Sequence, residues 1–466
     1  MKYYLIIFCF FTFSLIGCNQ KELRIMTRTI KKGEYSGCYY KREKNKPAEL
    51  RLKGNNQKIG KAHGHMLQHG IKELYNNYLL KLIESNGKTE KEVIKEAREI
   101  FGENIPENFK EEMQSLAKKS GLEYDKVLAA NCCLEILDIS QCTLICPPKQ
   151  WTKNNETVLA RSVDWLSMGM LQGYNVVFKY EPTNKSSFVS ISWPLFCGVI
   201  SGMNEHGLAI SIAEVPEDKA VERKKGIPYP LLYRQMLENC EDIEDAKNFL
   251  DENKDKISSN HNLILVDTQG AVLYEQRPIQ GKEKIRKKTL KDMCLFAINS
   301  HSRDVISSKD PRRHILQNFR IQNSSNHIGE LKKILKKVKL PNINNVQSMI
   351  FFPSKKEFLL ATDEKYASNK QFHSYSFFDK TIKDVGDTSP EGLHQTVAKV
   401  TKTTSRSKGS TDESTESETR LKKFKKTYGQ ENCYSCEIRK INEKQRTKHL
   451  FFSYRKAFDI YVSGPI

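Results

Sequence analysis

Between residues 60 and 82 apolar side chains recur at steps of three and four, at Leu67, Ile71, Leu74, Tyr75, Tyr78, Leu79 and Leu82. That spacing predicts an amphipathic helix. A second helical stretch covers residues 91–101. A third opens at Pro106 and stops at Gly121, and a fourth runs over 124–137. Past residue 140 the period shortens. Compact apolar runs bounded by turn residues predict strands at 143–145, 157–160, 176–180, 187–192, 199–201 and 208–212. Helices return over 227–240 and 243–250. Residues 262–267 and 271–275 then read as a hairpin through Thr268-Gln269-Gly270. Another strand, 295–301, ends in polar groups. A last hairpin, 348–353 with 357–362, closes the domain near Phe378.

The two ends of the chain read differently. Lys2 and the apolar run 3–16 have the form of a signal peptide, residues 1–17, too short for a spanning helix with proper flanks. The run ends Leu15-Ile16-Gly17-Cys18, which resembles a bacterial lipobox with Cys18 as the lipidated residue. An ordinary secretory signal is the alternative, and both export the protein. The expected location is therefore an exported lipoprotein held to a membrane through its lipid anchor, on the periplasmic or cell-surface face. Nothing later in the chain is apolar for long enough to predict a transmembrane helix. Residues 19–55, basic and broken by Gly33, Gly37 and Gly54, predict a tether with one strand. At the other end, residues 401–419 are a Ser/Thr/charged run without apolar periodicity. We therefore expect 381–466 to be a basic, largely disordered tail. Its Cys433-x-x-Cys436 lacks a second ligand pair and is a weak zinc signal. No metal and no cofactor is expected.

Composition adds charge and thiols. Lys+Arg 76 against Asp+Glu 56 gives a formal charge of +20, which suits anionic lipid or other surface polyanions. There is no nucleic-acid motif, and none is expected as partner. Twelve cysteines in an exported chain invite disulfides, but their irregular spacing fixes no framework, and adjacent Cys132 and Cys133 suit a packed core.

The candidate chemistry lies where helix gives way to strand, at Gln141-Cys142-Thr143-Leu144-Ile145-Cys146, with Ala160-Arg161-Ser162-Val163-Asp164-Trp165 shortly after. A thiol attacks a carbonyl as its thiolate and needs a base or a depressed pKa. If the chain is cut before Cys142, the new α-amine, with an intrinsic pKa of roughly 7.7–8.0, is itself that base. A hairpin of the two strands would return Arg161 and Asp164 to the side of Cys142. Arg161 would favour the thiolate and Asp164 would orient the α-amine. The same residues also read as a small buried hydrophobe beside a surface ion pair.

Cys142-Thr143 followed by Arg161-Ser162-Val163-Asp164-Trp165 resembles the opening of the choloylglycine-hydrolase and penicillin acyltransferase group of N-terminal nucleophile hydrolases. The usual form there is Cys-Thr, then Arg-Asn-x-Asp; this chain has Ser162 for the Asn and Gln141 for the Gly common before the cut. Gly60 with Gly64, Glu111-Glu112-Met113-Gln114 and residues 131–138 resemble the acyltransferase branch. So do Asn204-Glu205-His206-Gly207-Leu208, the segment ending Asn299-Ser300-His301, and Ser307-Ser308-Lys309-Asp310-Pro311-Arg312-Arg313. The resemblance spans roughly residues 55–380. It implies an α+β, four-layer αββα sandwich, cut into an anchored propeptide or α chain (18–141) and a β chain (142–380). It also implies that Cys142 forms a thioester, from which water or an amine acceptor releases the acyl group. The oxyanion would be held by the Asn299 side chain and a backbone N–H near Ala213 or Glu214. Arg161 and Asp164 would tune the nucleophile, and Arg312 or Arg313 would help position it. Asn204 and His206 read as turn formers. The expected partner is a small-molecule acyl amide or acyl donor. Alternatives are a lipid-amide or phospholipase-B-like hydrolase, and a catalytically silent surface lipoprotein that adheres through its basic tail.

Overall fold

The structure is a computed structural model. It describes residues 28–29, 35–43, 46–137, 140–216, 224–278, 286–289, 293–302, 304, 307, 309–340, 343–363 and 365–377. The signal peptide, Cys18, the tail from 381 and the Cys433–Cys436 pair lie outside these residues. No helix among the described residues is long and apolar enough to cross a membrane.

Two sheets stack face to face with helices on both outsides, a four-layer αββα sandwich. The larger sheet has ten strands. In spatial order they are β1 (Arg28–Thr29), β2 (Tyr39–Lys41), β3 (Ala48–Gly54), β6 (Val176–Pro182), β7 (Phe188–Ser192), β8 (Ser201–Asn204), β9 (Ala209–Glu214), β10 (His261–Val266), β11 (Ala271–Gln276) and β12 (Arg286–Thr289). The smaller, six-stranded sheet runs β13 (Leu295–Ala297), β4 (Ser140–Cys146), β5 (Leu159–Trp165), β14 (Asn344–Phe352), β15 (Glu357–Thr362) and β16 (His373–Ser376). One apolar core fills the space between the sheets and under the helices of the first half. A second lies between the small sheet and the helices Pro311–Gln317 and His327–Lys337. The small sheet is thus covered on both faces, which is why β5 is buried at every position.

The helical half follows the sequence periods closely. Asn55 caps α1 (Asn56–Met66) by accepting from the Lys58 N–H at 2.9 Å. The chain bends at Leu67, then continues through α2 (Gln68–Glu73), a π-helical turn at Leu74–Leu79 and α3 (Leu80–Ser85). α4 (Glu90–Glu96) leads to α5 (Glu107–Ser120), which ends where expected, at Gly121 with φ 74°. α6 (Tyr124–Leu137) then feeds β4. Gly60 and Gly64 face α5 at very short range. A Cβ on Gly60 would lie 2.1 Å from the Glu112 carbonyl oxygen, and one on Gly64 would lie 2.5 Å from that of Leu116.

Three expectations need correction. Residues 19–55 are expected to hold one strand, and their described part holds three, β1, β2 and β3. Of these, β3 joins the large sheet parallel to β6, with Leu50 and Leu52 inward and Arg51 out against Glu181. The intervening charged residues hide this period-two pattern in a basic segment. The strand expected at 199–201 forms at Ser201–Asn204 instead, because Val199 N–H is taken by the Pro230 carbonyl at 2.8 Å. The 295–301 strand stops after Ala297, and the polar residues beyond it turn toward Cys142.

The segments on either side of Cys142 share a buried ion cluster. Arg234, on α7 (Tyr229–Asn239), donates to both carboxylate oxygens of Glu112 on α5, at 2.6 and 2.7 Å, and to Glu238 at 2.9 Å. The rings of Phe109 and Tyr180 lie 4.8 and 4.6 Å from its guanidinium.

Candidate active site around Cys142

β4 and β5 pair so that Cys142 lies opposite Val163 and Leu144 opposite Arg161. Side chains alternate across a sheet, so Cys142, Leu144, Arg161 and Val163 face the large sheet. Gln141, Thr143, Ser162 and Asp164 face the outer helices. Cys142 is fully buried, and Arg161 Nη2 donates to its Sγ at 3.0 Å. Arg161 Nη1 is fixed by the Ile200 carbonyl and Ser201 Oγ at the start of β8. Among the described residues no carboxylate is a partner of this buried cation.

The backbone of Cys142 is held from the other side. Its N–H donates to Asn299 Oδ1 at 2.6 Å, and Asn299 Nδ2 donates to the Glu214 carbonyl at 2.8 Å. Asn299 and the end of β9 therefore meet beside Cys142. Glu214 lies opposite His261, and Val215 N–H donates to the Asn260 carbonyl at 3.1 Å. This is the wide pair of an antiparallel ladder, so the Glu214 N–H points away from β10.

Arg312 closes the site. Its Nη1 donates to the Cys142 carbonyl at 3.1 Å and lies 3.4 Å from Asn299 Oδ1, and its Nη2 reaches Gln141 Oε1 at 3.4 Å. Asp310 caps the Pro311–Gln317 helix and holds the Arg312 guanidinium at 2.7 Å. Arg313 turns away to Ser307 Oγ and the Ser302 carbonyl. Of the two arginines the sequence left open, Arg312 is the one at Cys142. Asp-Pro-Arg is a helix start, with the Asp as cap and the Pro in the first turn. That signal was available in the sequence, although the segment reads as readily as a solvated basic turn. The Ser201 and Asp310 supports were not foreseen.

Asp164 is placed otherwise than expected. Its carboxylate accepts from Leu340 N–H at 3.1 Å, Asn345 Nδ2 at 3.0 Å and Ser162 Oγ at 3.1 Å, on the face opposite the thiol. In the uncut chain Asn299, and not Asp164, holds the Cys142 nitrogen. Burial pushes the Asp164 carboxyl up to about 6, opposed first by the charge of Arg312 and then by those donors. Burial also raises the Cys142 thiol, against the charge and hydrogen bond of Arg161. Asn204 shapes the turn before β9, accepting from the His206 and Leu208 N–H groups at 3.1 and 3.0 Å.

An apolar cleft adjoins β4 and β5. Leu74, Tyr78, Cys133, Trp165, Trp193 and Ile200 line it. It meets the site through Trp165, on the strand that carries Arg161, and through Ile200, whose carbonyl holds that arginine. The eight cysteines among the described residues are unbridged and buried. Among those residues no group of three or more His, Cys, Asp or Glu is arranged to hold a metal ion.

The family model described as acyl-coenzyme A:6-aminopenicillanic acid acyl-transferase matches residues 151–341. That segment starts just past Cys142 and takes in Arg161, Asp164, Glu214, Asn299 and Arg312. Protein dcd1A of Dictyostelium discoideum is 27% identical over 154 residues, 31% of this chain and 34% of the relative. Protein dcd1B of the same organism is 23% identical over 232 residues, 44% of this chain and 45% of the relative. The chain thus spans less than half the length of these curated relatives. Among solved structures, a Caenorhabditis elegans ortholog of N-acylethanolamine-hydrolyzing acid amidase aligns with a TM-score of 0.37 at 14% identity, covering 46% of this chain and 92% of that one. Penicillin V acylase from Agrobacterium tumefaciens aligns with a TM-score of 0.30 at 13% identity, covering 47% and 82%. By the motifs around Cys142 and by the family model that matches beyond them, the chain resembles the acyl-coenzyme A:6-aminopenicillanic acid acyl-transferase branch of the N-terminal nucleophile hydrolases.

Proposed function

We propose that this protein is a self-processing cysteine hydrolase or acyltransferase that acts on non-peptide acyl amides through a Cys142 thioester. The observation that carries the reading is the pairing at one buried atom. The Cys142 sulfur takes its hydrogen bond from Arg161, a guanidinium with no carboxylate partner, while the Cys142 nitrogen is held by Asn299. A buried cation without an anion favours ionisation of the group it touches.

In processing, Cys142 Sγ attacks the Gln141 carbonyl carbon. The Gln141–Cys142 C–N bond breaks, and the departing nitrogen takes the thiol proton to become the α-amine. Water then hydrolyses the thioester, leaving a carboxylate on Gln141 and a free thiol on Cys142. Arg312, on the Cys142 carbonyl and the Gln141 side chain, holds the two residues in register for that attack. In turnover the α-amine takes the thiol proton, Sγ attacks the acyl carbonyl, and the amine leaving group departs with a proton. Water or an acceptor amine then releases the acyl group. Asn299 Nδ2 and the Glu214 N–H are the donors we assign to the oxyanion. The Asn299 amide carries two N–H groups, so one can stay on the Glu214 carbonyl while the other serves the oxyanion.

The apolar cleft beside Trp165 and Ile200 favours an acyl group of lipid character, which supports the lipid-amide variant of the reading. Export and an anchor at Cys18 complete the proposal, and the intact mass of the amino-terminal fragment checks them. The central test is a denaturing gel with amino-terminal sequencing. We expect two fragments, the second beginning at Cys142, and a single uncut chain for Cys142→Ala. A wild-type chain that stays whole and is not labelled by a thiol-directed acyl probe would refute the assignment. Amides of graded acyl length then report the pocket.

A further inference from the structure

The helices Pro311–Gln317 and His327–Lys337 do not close against each other along their outer edges. They leave a groove of about 370 Å³ on the face of the molecule opposite the ten-stranded sheet. Its floor is apolar, from Ile315, Phe319 and Ile334, and its rim carries Arg320, Lys333 and Lys337. Glu330, His314 and Asn318 complete the lining. Three cations, Arg320, Lys333 and Lys337, against one carboxylate leave two positive charges. Glu330 is partnered by Lys333 at 2.8 Å, and Arg320 lies 5.3 Å over the Trp151 ring with its Nη1 on the Gln317 and Phe319 carbonyls. Arg320 is thereby fixed at one end, while Lys337 stands exposed one helical turn beyond Lys333.

A cationic rim around an apolar floor matches an anionic amphiphile, charged at one end and hydrocarbon at the other. The walls are two helices and the turn 318–320 that follows the first, so the groove has no strand edge on which to pair an extended acidic peptide. The formal charge of +20 draws the whole molecule toward anionic surfaces. We propose that this groove is a docking site for the headgroup of an anionic phospholipid at a bilayer surface. It is separate from the thiol site, from which the small sheet divides it, and does not depend on the assignment made there. Its role is to seat the protein on a negatively charged leaflet, with Lys333, Lys337 and Arg320 on the phosphate and Phe319 and Ile334 against the adjoining acyl stem.

The test is co-sedimentation of the full chain with phosphatidylglycerol/phosphatidylcholine vesicles and with phosphatidylcholine vesicles at about 0.1 M salt. The ratio of the two is read, so that an anchor contributes to both alike. Wild type should prefer the anionic vesicles. Lys333→Glu with Lys337→Glu should lower that preference about tenfold or more, since each basic residue near such a surface contributes roughly a kilocalorie per mole. Lys81→Glu with Lys91→Glu makes the same charge change on exposed helical positions elsewhere and should lower it less than about threefold. All four lysines are exposed, so thermal midpoints should stay at the wild-type value and binding is read on folded protein. Equal losses in the two double variants would mean that net charge alone binds, and would overturn the site. So would equal wild-type binding to both vesicle types. Full competition by millimolar glycerol 3-phosphate would replace the bilayer with a soluble phosphate. Poly-glutamate binding lost in the groove variant while vesicle binding persists would replace it with an acidic protein.

Discussion

A guanidinium buried without a carboxylate is costly unless something nearby carries the compensating charge. At Arg161 the nearest candidate is the Cys142 sulfur, 3.0 Å away. Replacing Arg161 by Gln should therefore raise the Cys142 thiol further, read as the pH dependence of its alkylation rate. Asp164 gives the second test at this scale. Its folded carboxyl sits at about 6 against 3.8 for the ordinary group. Between those values the folded state holds the proton more tightly than the unfolded one. The stability contributed by this group is thus fully present below 3.8 and falls as pH rises through 6, by roughly 3 kcal/mol in all. Asp164→Asn cannot titrate, so the stability of wild type relative to this variant, measured by urea unfolding, should decline from pH 4 to pH 7. A flat difference would contradict the buried-carboxyl account. Cys142 and Arg161 were legible in the sequence because a strand pair returns one to the other. Asp164 reads from the sequence as lying with Arg161 beside the thiol, because the strand reads as ending in those two residues. In a strand that continues to Trp165, residues three apart face opposite sides.

At the scale of elements, the α1–α5 contact depends on two missing methyl groups. Gly60→Ala must push α1 off the Glu112 carbonyl, and overpacking of this kind costs about 1–3 kcal/mol. A drop in thermal midpoint of several degrees is expected. Gly173→Ala, which meets nothing within 4 Å, should leave the midpoint unchanged. Helices α5 and α6 could be read almost to the residue because Pro106, Gly121 and the three-to-four period all act locally. β3 could not, since its partner β6 is supplied by chain more than a hundred residues away. The short β13 was overcalled for a related reason. Apolar content marks Leu295–Ala297 as strand, but it is the pull of Asn299 toward Cys142 that ends it.

For the whole molecule, Glu112 and Arg234 join the segments that processing would separate. Glu112→Gln removes the charge that both Nη nitrogens address in a fully buried site. Breaking such a pair costs about 3–5 kcal/mol, and the fragments should then part at a lower urea concentration in size-exclusion chromatography. Nothing local in the sequence marks this cluster, because its members come from helices that meet only after the sheets have stacked. The same separation has a bearing on timing. Asn299 and Arg312 follow Cys142 by 157 and 170 positions. While the polypeptide is still being synthesised, the cysteine is present long before the groups that hold it. Under the proposed function its reactivity would report completion, and a ribosome stalled anywhere short of Asn299 would leave a thiol without the groups that hold it.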